Sequence, residues 1–253
     1  MALGRIVDNC VECPFHGFQF SGDGTCTAIP ANGPSKPIPA AMNARSWRVR
    51  EKSGFVWLWN GDGEPGPIPW FDELDQGMVY AGFTDDWPIH YTRAVENQLD
   101  FTHLPFAHRT SIGRGLPGAL DVITTIDGDR MHMTYDPATW DGRGFYVEFI
   151  APGIWRNRLA PNVFAFIAFV PVDEANTRLY LRFYQGYLTV PVLGQLMCQA
   201  SNLFNRYILN QDKRIVLTQE PRSTALHMEE VLLRSDQPII AFRRWRDRLL
   251  AVP

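Results

Sequence analysis

The chain predicts an α+β fold in two parts. Three observations carry this. Residues up to about 60 read as short β-rich runs separated by Gly- and Pro-containing turns. Residues from about 120 to 187 repeat the pattern as consecutive hairpins, which imply an antiparallel sheet. Two helical stretches then follow, and strands followed by long helices suit a sheet with helices packed on one face.

In chain order, Ser46–Arg50 alternates and Gly54–Trp59 is a β-rich run with a glycine start. The segment Gly61–Pro69 concentrates glycine and proline and is the best linker, so the domains are placed at 1–62 and 63–253. A short strand is expected at Val79–Phe83, then a helix over the segment that begins at Glu96. Further strands are expected at Asp121–Ile126, Arg130–Tyr135, Gly144–Ile150, Ile154–Leu159, Val163–Val170 and Thr177–Tyr187. Their joints are turn-like: Asp127-Gly128, Asp136-Pro137, Asp141-Gly142 and Asp173–Asn176. After Pro191 a helix is expected from Leu193 to Gln219, with apolar Leu196, Leu203, Tyr207, Ile208, Ile215 and Val216. A last helix, Pro238 to Leu250, opens on proline and carries an arginine-rich face. No internal repeat is visible.

Composition narrows the function classes. Hydrophobic content of 45% with 13% aromatics supplies a sizeable core. A net charge of −3 gives no reason to expect a nucleic-acid partner. Four cysteines in 253 residues form no disulfide framework, and the chain reads as cytoplasmic. Asp8 and Glu12 interrupt the N-terminus, which has no apolar signal region. The most apolar stretch, Val163–Val170, is too short to span a bilayer as a helix, so no membrane partner is expected.

The chemistry concentrates in segment 96–108, which holds Glu96, Asp100, His103 and His108. Two histidines and one carboxylate, with coordination positions left open, make the facial triad of non-haem iron(II) oxygenases. On a helix, Asp100 and His103 share one face. Pro105 is expected to end or kink that helix and turn His108 back toward His103. A simpler reading is a helix end with surface histidines. A second motif weighs against it: Cys13-Pro-Phe-His16-Gly, followed by aromatics and the glycine-rich Gly22–Gly24.

Cys-x2-His-Gly resembles the second metal loop of a Rieske iron–sulfur domain, where two histidines replace two cysteines on one iron. With Glu-x3-Asp-x2-His-x4-His at 96, 100, 103 and 108, the whole chain resembles the alpha (terminal oxygenase) subunit of the Rieske non-haem iron oxygenases. The resemblance implies a partial all-β Rieske domain, then a helix-grip (START-like) catalytic domain. It also implies mononuclear Fe(II) on His103, His108 and Asp212, the last from the long C-terminal helix, with Glu220 as the fallback. The lesser alternative for Asp212 is a solvated helix acid pairing with Lys213 or Arg214. Asp100 is implied to hydrogen-bond a ligand histidine and to meet His16 of a neighbouring subunit in a homotrimer. Glu96 is read either as structural support or as an acid favoured by a helix N-terminus.

Implied activity is O2-dependent hydroxylation, dihydroxylation or demethylation of an apolar, aromatic or polycyclic substrate. Electrons would come from an NAD(P)H-dependent reductase, with or without a ferredoxin. Phe106, Phe145, Phe149, Phe164, Phe166, Phe183, Phe204 and Met197 are the candidate pocket residues, with about a third of them expected to line it. Of the [2Fe–2S] ligands only Cys13 and His16 are present, because no Cys-x-His loop occurs in the sequence. A coding start placed too late or a cut chain is the preferred explanation. A genuine loss leaving a redox-dead relic is the second, and a zinc site on Cys10, Cys13, His16 and Cys26 the third. As given, the chain is expected to bind mononuclear iron but not to assemble the cluster. The contrasting function is a helix-grip module that binds hydrophobic ligands without catalysis.

Overall fold

The computed structural model describes residues 2–61, 63–135 and 145–251. It divides into two compact units, Met1–Ile68 and Pro69–Pro253.

In the first unit β1 (Arg5–Val7), β2 (Cys10–Glu12), β3 (Gln19–Phe20) and β4 (Cys26–Ala28) pair in sequence order. Asp8 and Asn9 both take positive φ, which gives the tight turn between β1 and β2 the twist its strands need. Cys13–Phe18 forms the loop between β2 and β3, closed by Cys13 N–H donating to the Phe18 carbonyl at 2.8 Å. A separate hairpin joins β5 (Arg48–Lys52) to β6 (Phe55–Trp59).

The second unit begins with β7 (Val79–Trp87), α1 (Tyr91–Leu99) and α2 (Leu104–Ala107). Then come β8 (Ile123–Asp127), β9 (Arg130–Thr134), β10 (Tyr146–Ile150), β11 (Ile154–Ala160), β12 (Val163–Asp173) and β13 (Asn176–Gln185). Helices α3 (Leu193–Val216) and α4 (Gln237–Leu250) complete it. Among the described residues seven strands form one antiparallel sheet, ordered β7-β13-β12-β11-β10-β9-β8. The hairpin series is therefore as expected, with β7 longer than the short strand predicted. The Asp136-Pro137 and Asp141-Gly142 turns, and Gly144 of the strand expected there, lie outside the described residues.

Side chains two apart on a strand share a face. Met131 and Met133, Val147 and Phe149, Ile167 and Phe169, and Leu179 and Leu181 thus build one buried cluster with Ala94, Val95 and Leu99 of α1, Leu209 and Val216 of α3 and Phe242 of α4. The opposite face is covered in part by Trp70 and Phe71, which pack on Phe166. Arg156 stacks over Phe71 and Phe164 there and pairs with Glu73 at 2.9 Å.

Expectations on α3 and on the metal segment are corrected. The apolar positions singled out on α3 are mostly outward: Leu196, Leu203, Tyr207 and Ile215 are exposed. Its buried face is instead Gly194, Cys198, Asn202, Leu209, Asp212 and Val216. Small and polar residues let the helix lie close to β7, where Asn202 donates to the Ala81 carbonyl at 2.9 Å. The helix also ends at Val216, short of Gln219. Secondly, α1 stops at Leu99, so Asp100 and His103 share no helix face. Pro105 does not end that helix; it sits in the first turn of α2, where its missing N–H costs nothing.

Candidate metal centre

The bend between α1 and α2 is built by Asp100. Its backbone is extended, and its Oδ1 accepts from both the N–H and the hydroxyl of Thr102, each at 2.7 Å. This Asx-type turn replaces the helical turn that spacing alone suggested. It brings His103 Nδ1 to 3.5 Å from Asp100 Oδ2. His108 follows at the end of α2, where its carbonyl accepts from Ser111 N–H at 2.8 Å and Gly113 N–H at 3.0 Å. Gly113 lies so close to the Leu104 carbonyl that no side chain fits there.

Helix α3 brings Asp212 against both imidazoles. Asp212 Oδ1 lies 2.9 Å from His108 Nε2 and 3.4 Å from His103 Nε2. One ligand atom from each of the three residues falls within a 4.8 Å group, which is the only such group of three among the described residues. Asp212 Oδ1 is buried and makes no hydrogen bond. A buried carboxylate oxygen without a hydrogen bond, set between two imidazoles, is costly unless a cation sits there. Two nitrogens and one oxygen with room beside them suit iron(II) of the facial-triad kind. The donor set fits a mononuclear metal.

Electrostatics agree. Burial works against a charged His103, but Asp100 and Asp212 outweigh it and push its pKa up to about 9 without metal. For Asp212 and Asp100 burial likewise opposes the charge, yet the adjacent imidazoles, and Thr102 for Asp100, hold both carboxyls below their ordinary value. Two carboxylates thus face His103, and a cation binding there would displace its proton.

A cavity of about 500 Å³ opens on one side of the three residues, between the sheet and α3. Its walls include Phe101, Trp155, Ile167, Leu181 and the small Ala165, with Asn157 and Asn205 as polar points. Of the aromatic candidates, Phe145, Phe166, Phe183 and Phe204 contribute to the lining, although the ring of Phe166 packs against Trp70 at 5.0 Å. Phe106, Phe149, Phe164 and Met197 do not line it. A polar cavity of about 390 Å³ touches Asp100, His103 and Asp212 and is lined also by Arg93, Glu96, Glu230 and Arg243. A larger one, about 590 Å³, lies by α4 and touches none of the three. Donor chemistry rather than volume selects the site.

Glu96 is not a helix N-terminal acid. It lies in the second half of α1, buried, and receives Arg243 Nε and Nη2 at 2.7 and 2.9 Å. Arg243, Thr224, whose hydroxyl donates to Glu96, and Gln211, whose Oε1 lies 2.8 Å from His108 Nδ1, escaped the sequence reading, since their partners are far away in the chain. Glu220 pairs with Arg222 at 3.1 Å and takes no part in the site. Lys213 pairs with Asp85 at 2.7 Å, which leaves Asp212 to the histidines. In the first unit, Cys13 is half-buried and His16 is exposed beside Phe15. No second group of three metal donors converges among the described residues, so the zinc reading of Cys10, Cys13, His16 and Cys26 has no preformed site.

A family model described as the Rieske [2Fe-2S] domain matches residues 1–44, and one described as the vanillate O-demethylase oxygenase C-terminal domain matches 130–252. The chain belongs to the Rieske oxygenase family. Chlorophyllide a oxygenase of Chlamydomonas reinhardtii is 26% identical over 98% of this chain and 40% of its own length. A Pseudomonas vanillate O-demethylase oxygenase subunit is 30% identical over 69% of this chain and 50% of its own. This Rieske oxygenase chain thus spans half or less of the length of these curated relatives. Among solved structures, the NdmA QL mutant of Pseudomonas putida CBB5 with theobromine superposes with a TM-score of 0.82 at 22% identity, covering 98% of this chain and 73% of that one. Dicamba monooxygenase bound to 3,6-dichlorosalicylic acid gives 0.80 at 19%, covering 99% and 83%. At these identities the structures speak for the fold. Rieske oxygenases are enzymes, and no described helix here is long and apolar enough to cross a membrane.

Proposed function

We propose that this chain is the mononuclear-iron part of a terminal oxygenase component. It would carry out O2-dependent hydroxylation, dihydroxylation or demethylation of an apolar, ring-containing substrate in the cytoplasm. The observation that carries the reading is the buried Asp212 Oδ1, without a hydrogen bond, set between the Nε2 atoms of His103 and His108 beside the apolar cavity.

Bound at these three residues, iron(II) supplies the activation of dioxygen that no amino-acid side chain provides. The chain's own residues do the rest. Asp100 positions His103 from behind, at Nδ1. Phe101, Trp155, Ile167 and Leu181 exclude water and hold an apolar substrate beside the donors. Asn157 and Asn205 offer the hydrogen bonds that orient it. A ligand-binding module without catalysis would need the cavity but not three converging donors.

The [2Fe–2S] cluster does not fit the residues present, since Cys13 and His16 are half of its ligand set. Delivery of electrons by a ferredoxin or reductase, assembly as a homotrimer and contact of Asp100 with His16 of another copy remain parts of the proposal. They are supported by family membership. The test is iron and acid-labile sulfide per chain after anaerobic loading. The expected result is one iron and no sulfide, with iron lost in His108→Ala and Asp212→Ala. Retention of iron by both variants would refute the assignment. Sulfide appearing only in a chain extended upstream would place the remaining cluster ligands there.

A further inference from the structure

We infer that Gln211 is a positioning residue of the metal centre, holding His108 with its proton on Nδ1 and its Nε2 lone pair facing the ion. This rests on the iron site proposed above. Both imidazoles turn Nε2 toward Asp212 Oδ1, and their Nδ1 atoms face different groups: His103 Nδ1 has a charge contact but no hydrogen bond, whereas His108 Nδ1 is hydrogen-bonded. Behind His103 stands the Asp100 carboxylate. Behind His108 stands a neutral amide: Nδ1 lies 2.8 Å from Gln211 Oε1. The Ser111 hydroxyl donates to the same oxygen at 3.0 Å. A carbonyl-type oxygen only accepts, so the histidine nitrogen facing it must be the donor. The opposite tautomer would point an N–H at the metal position and leave Nδ1 facing an acceptor.

Burial makes this decisive. The His108 side chain is 1% exposed, so water cannot take over from Gln211. Gln211 also adjoins Asp212 on α3, and one turn of helix therefore supplies both a ligand and the support for another ligand. The two histidines are held unequally. A carboxylate stands behind His103 and a neutral amide behind His108.

The experiment is Co(II) titration of the metal-free full chain, reading affinity and the ligand-field absorption. Gln211→Met keeps length and helix propensity but removes the acceptor. It is expected to weaken Co(II) binding roughly 10- to 100-fold and to change the spectrum. Gln211→Glu restores an acceptor and is expected to bind within a few-fold of the parent. Ser111→Ala, which leaves Gln211 in place, is expected to weaken binding by less than Gln211→Met. Wild-type affinity and spectrum in Gln211→Met, whatever its thermal stability, would overturn the inference, as would a Gln211→Glu variant no better than Gln211→Met. His108→Ala and Asp212→Ala are titrated in parallel. If they bind Co(II) like the parent, the site itself is wrong; if they do not and Gln211→Met does, only the role of Gln211 falls.

Discussion

Replacing Glu96 by alanine tests the frame that carries the metal segment. Glu96 and Arg243 are 6% and 3% exposed and form a two-pronged ion pair that ties α1 to α4. Thr224 donates its hydroxyl to the same carboxylate at 2.5 Å. Removing one partner of a buried pair costs about 3–5 kcal/mol. Arg243 keeps Glu230 at 2.9 Å, which favours the lower end, about 3 kcal/mol. The stranded Thr224 hydroxyl adds about 1 kcal/mol. The expected loss is therefore about 4 kcal/mol, a large share of the roughly 5–15 kcal/mol that holds a domain together. Urea unfolding followed by helical circular dichroism measures it, because the described α-helices all lie in the second unit. Glu96→Met with Arg243→Met should recover much of the loss, since apolar packing can replace a buried pair. A loss below about 1 kcal/mol in Glu96→Ala, at unchanged denaturant dependence, would refute the reasoning.

Other outcomes follow from the same geometry. The metal-free His103 pKa of about 9 lies above its ordinary 6.5, so its contribution to stability is complete below pH 6.5 and fades as pH rises through about 9. Co(II) must displace that proton, so its affinity should rise by roughly one decade per pH unit from pH 7 to 9 and then level off; a flat profile sinks the assignment. Burial opposes the charge on Glu230, but Arg243 and Arg93 hold its carboxyl below 4.5, so the stability it adds is present above that value and lost as pH falls through its folded pKa. Glu230→Gln should flatten this part of the acid limb of a urea titration. Asp100→Asn should lower Co(II) affinity roughly 10- to 100-fold by loosening His103. Gly113→Ala, whose Cβ would strike the Leu104 carbonyl, should cost about 1–3 kcal/mol and disturb both histidines, read by thermal unfolding and Co(II) spectrum. Ala165→Phe should fill the apolar cavity and abolish binding of apolar ligands while metal affinity stays within a few-fold.

The hairpin series and both long helices could be read directly from the chain because alternation and helical period are local properties. The same holds for His103 and His108, whose spacing lies within one short segment, and for the Cys13/His16 loop. Asp212 could be named only through resemblance, since nothing local says that α3 returns to α2. Folding settled what depends on distant partners. Glu96 meets Arg243, 147 residues along the chain, and that meeting makes it a structural anchor. A local contact mattered too: Asp100 leaves the helix because its carboxylate takes Thr102 N–H two residues on, an Asx-type turn that competes with helical spacing, and Pro105 then starts a helix instead of ending one. The outward apolar stripe of α3 shows the limit most plainly. Periodicity reveals that a helix has two faces, but the sheet accepted the face of Gly194, Cys198 and Asn202, whose small size and hydrogen bonds allow close approach. A sequence records each residue's preference singly, whereas packing selects among faces by fit between surfaces far apart in the chain.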